Sequence, residues 1–250
     1  MARIRTHLEH APITEALIDF QVRPRKGEYD LEAVQELANS VEGYEQKGPI
    51  VRLETTWAVT KDQGAKSRSR SQGLGIRLHS SDEKYVLQLR TNGFTLSRLE
   101  PYETWENLVA ETRRLWVMYV RSLGPEIVHR VATRFINRLK LPMKAGELFE
   151  EYLTKPPDVP DELPQGVLGF TQRIVIVHPD LKARANVIQV LQEGVAPADH
   201  VPIILDIDVY DMVEILPETE EAWNILEQLR VFKNAVFFAS LTEKTVGLYE

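Results

Sequence analysis

Between Tyr85 and Leu123 a strand period gives way to a helix period, which restricts the chain to folds where a sheet carries a long helix. Tyr85, Leu87, Leu89 and Thr91 fall on alternate positions, as in a strand with one buried face. After a turn at Asn92-Gly93 the segment Thr95 to Leu99 continues the sheet, and Pro101 stops it. Thr104 then suits an N-cap, with Glu103 and Glu106 beside it. From Trp105 through Leu108, Val109, Thr112, Leu115, Trp116, Tyr119 and Val120 to Leu123 the large residues recur every three or four positions, and Gly124-Pro125 ends the stripe.

The flanking chain supplies further elements. Ala11 to Val22 reads as a strand, and a helix capped by Asp30 carries Leu31, Val34, Leu37, Ala38 and Val41 on one side. Ile50 to Thr60 is a strand rich in β-branched residues. Lys61 to Gly73 has no apolar residue larger than Ala65 and is expected to be a mobile loop, after which Leu74 to His79 pairs with Tyr85 to Arg90. Glu126 to Leu141 is strand-like, Glu147 to Leu153 a short helix, and the proline-rich Lys155 to Pro164 an extended connector. Strands follow at Phe170 to Val177, Ala185 to Gln192 and Ile203 to Val209, then a helix from Glu218 to Phe238 and a terminal strand from Val246 to Tyr249.

The order strand, helix, strands, long helix occurs twice. Trp105 and Trp223 stand 118 positions apart, as do Leu87 and Leu205, Leu89 and Ile207, Ile13 and Val131, Leu17 and Phe135. This spacing predicts an internal duplication and an α+β fold of two pseudo-repeated halves, 1–124 and 125–250, intimately packed. Each half is expected to be a curved antiparallel sheet on its own long helix, with Trp105 and Trp223 as equivalent buried anchors.

The absence of cysteine removes disulfides, thiolate metal sites and a cysteine nucleophile, and fits a cytoplasmic protein. Lys+Arg 30 against Asp+Glu 37 leaves a net charge of −7, which argues against wholesale coating of nucleic acid but not against a local basic patch. The longest late apolar run, Ala235 to Leu241, is too short to cross a bilayer, so no membrane association is expected.

Three constellations carry chemistry. Asp206 and Asp208 project from one strand face about 7 Å apart, and with Asp211 they could share a divalent cation, the basis of a metal-dependent phosphodiesterase or nucleotide-processing reading. Arg130, Arg134 and Arg138 lie on one strand face and could bind phosphate or carboxylate, although pairing with the Asp206 and Asp208 strand explains both sets at once. Lys66, Arg68 and Arg70, interleaved with serines, have the composition of a segment that contacts nucleic-acid backbones. The six histidines are scattered, and no nucleophile elbow, P-loop or dinucleotide fingerprint is present, so no catalytic residue or cofactor is expected.

His10-Ala-Pro-Ile-Thr-Glu-Ala16, Leu96-Ser-Arg-Leu-Glu-Pro-Tyr-Glu-Thr-Trp105, Arg134-Phe-Ile-Asn-Arg138, Leu205-Asp-Ile-Asp208 and the ending from Leu229-Arg-Val-Phe-Lys-Asn234 through Phe237-Phe-Ala-Ser-Leu-Thr242 to Tyr249-Glu250 carry a resemblance over nearly the whole chain. In these segments the protein resembles a sporadically distributed family of uncharacterised prokaryotic proteins of about 250 residues. The resemblance implies an accessory role in a defence-associated system. Together with the missing catalytic constellation, it sets the expectation of a non-enzymatic binding or assembly subunit with a protein partner or a homo-oligomeric state.

Overall fold

A computed structural model describes residues 8–24, 31–60, 64–144, 147–191 and 200–250, with the side chains of 53–70 outside the description. The strands are β1 (Ile13–Pro24), β2 (Tyr44–Thr60), β3 (Gly64–Ser80), β4 (Tyr85–Arg90), β5 (Gly93–Leu99), β6 (Pro125–Leu141), β7 (Phe170–Val177), β8 (Arg184–Leu191) and β9 (Val201–Ile215). The helices are α1 (Leu31–Ser40), α2 (Trp105–Leu123), α3 (Glu221–Ser240) and the single turn α4 (Glu243–Val246), with a 3-10 turn at Phe149–Glu151.

Among the described residues the strands form one antiparallel sheet in the order β2-β3-β4-β5-β1-β6-β9-β8-β7. This corrects the expectation of two curved sheets, each on its own helix. β1 pairs with β5 on one side and with β6 on the other, in a register that sets Ile18 opposite Leu96 and Thr133. The reason is a backbone one: as separate units, each half would leave β1 or β6 as a bare edge with a row of unpaired N–H and C=O groups, and joining the two edges satisfies both. The uniform spacing of 118 also fails as a map of the sheet. It equates Leu87 and Leu89 on β4 with Leu205 and Ile207 on β9, yet β9 adjoins the central pair directly and β4 stands one strand further out.

Cross-strand register carries one buried row from β3 to β8, through Leu78, Leu87, Leu96, Ile18, Thr133, Val209 and Ala185, apolar at every position but Thr133. The helices cover this face: α1 lies over β3 beside α2, α2 over β5 and β1, and α3 over β6 and β9. α2 begins and ends as expected: Thr104 Oγ1 accepts from Asn107 N, and Gly124 takes the left-handed conformation, its N–H donating to Val120 O.

Two local expectations are overturned. From Gly64 onward the segment read as a loop is a strand, paired with β2 from Thr60 opposite Gly64 to Tyr44 opposite Ser80; residues 61–63 lie outside the described set. At the C-terminus, Val246 to Tyr249 is not a strand. Thr242 Oγ1 accepts from Thr245 N and starts α4 instead, because a side-chain cap outcompetes the weak alternation of three apolar residues.

Candidate functional site

The face of the sheet opposite the helices carries a line of charge. Asp19 on β1 is buried and accepts from Arg90 Nη2 at 2.6 Å, Thr95 Oγ1 at 2.6 Å and Arg130 Nη1 at 2.8 Å. Arg130 also reaches Asp208 at 3.1 Å, and its guanidinium lies 4.7 Å from the Tyr210 ring centroid. Arg134 grips Asp206 with two parallel bonds, one of them 2.7 Å from Nε to Oδ1. Burial pushes the Asp208 carboxyl above its ordinary value against the pull of Arg130 and Arg134.

These contacts show what the sequence-selected residues do. Arg130 and Arg134 are engaged by acidic partners, while Arg138 is exposed at the end of the row. Asp211 falls an odd number of positions from Asp208 in an unbroken register, so it projects from the opposite face, where Lys182 is the cation that acts on it. Among the described residues no group of three or more His, Asp or Glu side chains is arranged to hold a metal. Lys66, Arg68 and Arg70 sit on the backbone of β3, and their side chains lie outside the described residues.

Two concavities on the helix-covered face were not anticipated. The first, of about 570 Å³, opens between the N-terminal segment Leu8 to Ala11, the loop before α2 and the middle of α3. Its walls include Tyr102, Trp105, Phe135 and Phe237, and Lys233 stands in it as a buried amine with Nζ 3.8 Å from the Phe135 ring centroid. Burial, with Arg230 adding to it, pushes the Lys233 amine down to about 7. The sequence signal was present: Lys233 interrupts the apolar stripe of α3 made by Leu226, Leu229, Val236 and Phe237.

A lysine held this way destabilises the fold wherever its unfolded counterpart is charged. Its folded value lies below its ordinary 10.5, so the unfolded chain binds the extra proton between about 7 and 10.5, and stability rises with pH across that window. Lys233→Met is therefore expected to raise stability at pH 7 by about 2–4 kcal/mol, with the gain shrinking toward pH 10. Urea midpoints of the two proteins measured from pH 6 to 10 check this, and a constant difference across that range would refute it.

The second concavity, of about 360 Å³, is a groove between β7, β8 and α3. Counting outward from the central β1–β6 pair, β3 and β7 hold the same rank, yet their helix-side residues differ. Ile76 and Leu78 on β3 are buried beneath α1, whereas Ile174 and Ile176 on β7 are 44% and 39% exposed. On the groove floor Gln189, itself buried, leaves its Oε1 without a hydrogen-bond partner. Its place in the apolar alternation Ala185, Val187, Gln189, Leu191 was the overlooked sign.

No protein-family model matches this chain, and no curated protein matches it. No helix among the described residues is long and apolar enough to cross a membrane.

Proposed function

We propose that the protein is a non-enzymatic binding subunit that docks a protein partner, the partner's amphipathic helix lying in the groove between β7 and α3. One observation carries this reading: the seat that α1 fills over β3 has an unfilled counterpart over β7, where Ile174 and Ile176 face the groove and the Gln189 carbonyl lacks a donor. A helix with an apolar stripe would cover the isoleucines, and a donor at its centre would meet the Gln189 oxygen. β7 is also a sheet edge, whose backbone borders the groove. The resemblance to a sporadically distributed prokaryotic family supports a defence-associated assembly, and the lack of cysteine supports a cytoplasmic one. The charged row on the opposite face is read as structural, since Asp206 and Asp208 are engaged by Arg134 and Arg130.

Co-purification from the native host tests this. The tagged protein is expected to retain a stoichiometric partner, and Ile174→Glu/Ile176→Glu to lose it while keeping its circular dichroism and melting temperature. Recovery of the wild-type protein alone and monomeric would refute the reading.

A further inference from the structure

The larger cavity is chemically unlike the groove. The charged groups facing it are Glu9 and His10 from the N-terminal segment, Glu100 and Glu103 from the loop before α2, Glu106 from α2, and Arg230 with Lys233 from α3. Three of these are paired: Arg230 with Glu106 and Glu227, and Glu103 with Arg98 and Lys84. Among the described residues no carboxylate pairs with Lys233, whose amine sits against the Phe135 ring. Four glutamates against the Arg230 guanidinium in the lining disfavour an anionic ligand. The aromatic walls favour a neutral molecule with an apolar body. An amine pushed down to about 7 is in good part unprotonated at neutral pH, so it offers a lone pair rather than a positive charge.

We propose that this cavity captures a small apolar aldehyde, preferably aromatic, through a reversible covalent bond to Lys233. The Nζ lone pair attacks the carbonyl carbon, and the C=O π pair moves to oxygen, which takes up a proton as nitrogen gives one up, forming a carbinolamine. Loss of the second nitrogen proton and departure of that oxygen as water leave the C=N bond of an imine. One water is formed for each aldehyde bound, and no oxidant or reductant takes part. Trp105 and Tyr102 flank the cavity and give an aromatic aldehyde its packing surface.

Reductive trapping tests this in the full chain. Benzaldehyde and cyanoborohydride are added at pH 7, and the modified lysines are identified by peptide mass spectrometry. Lys233 is expected to acquire the benzyl group at least about tenfold faster than exposed Lys140, because a depressed amine pKa leaves far more of the free base. Lys233→Met should abolish that adduct and leave the slow surface reaction unchanged, and Lys233→Arg should do the same with a permanent cation in its place. An unmodified Lys233 beside labelled surface lysines, or labelling no faster than at Lys140, would overturn the proposal. Since the readout is a bond to one residue, its failure would leave the partner-docking reading of the groove untouched.

Discussion

Asp19→Ala is expected to lower the unfolding free energy by about 3–5 kcal/mol, the range for a buried ion-paired network stripped of one partner. Asp19 is the hub of the charged row: its two carboxylate oxygens take Arg90, Thr95 and Arg130, and only 7% of the residue is exposed. Alanine leaves Arg90 without its carboxylate partner and Arg130 with Asp208 alone. The larger part of the cost is the uncompensated burial of charge rather than the loss of three hydrogen bonds. Asp19→Ala/Arg130→Met should therefore be more stable than Asp19→Ala alone, since the second substitution removes one of the stranded cations. Urea denaturation of the three proteins at pH 7 measures this. A single-substitution cost below about 1 kcal/mol, or a double variant worse than the single, would show that water already satisfies the arginines.

How much of this row can be read from the sequence depends on how local each relation is. Arg130 and Arg134, like Asp206 and Asp208, share a face by the strand period alone, and their opposite charges suggested that the two faces meet, although the meeting itself rests on β6 lying beside β9. Asp19 and Arg90 were not legible, because their role depends on β1 lying between β5 and β6, a long-range pairing that no local pattern encodes. Lys233 and Gln189 stood in plain view as polar residues within apolar periodicities, but a single interruption looks the same whether it faces a cavity or the rim of the core.

The fold divides along the same line. α2 was legible to the residue, since a threonine cap, a stripe and a glycine terminator are all local signals. The merging of two sheets into one was not, because strand order is set by which edges meet. The first part of β3, from Gly64 to Gly73, was missed for another reason. The serine and arginine alternation of that part has no apolar residues to announce a strand, and it is held by backbone pairing to the β-branched run of β2.

The single sheet also changes what the two tryptophans are expected to do. Each reaches across the β1–β6 junction instead of packing on strands of its own half. Trp105, at the start of α2, lies against Phe135 of β6 and donates from Nε1 to Glu227 of α3 at 2.6 Å. Trp223, on α3, meets Phe20 of β1 edge-on at 5.5 Å, with the Arg113 guanidinium of α2 4.2 Å from its ring centroid. The arrangement is reciprocal, since Arg230 of α3 covers Trp105 as Arg113 covers Trp223. Both indoles are buried, at 4% and 7% exposure, so truncation to alanine at either site should cost about 3–5 kcal/mol from lost burial and the cavity left behind. Because the two side chains bolt the same pair of helices to opposite sides of one junction, the double variant should lose more than the sum of the singles, or stop unfolding as one cooperative unit. Urea unfolding followed by both circular dichroism and fluorescence distinguishes these outcomes from simple additivity. Additive costs with a single coincident transition would mean that the backbone ladder between β1 and β6 holds the chain together without them.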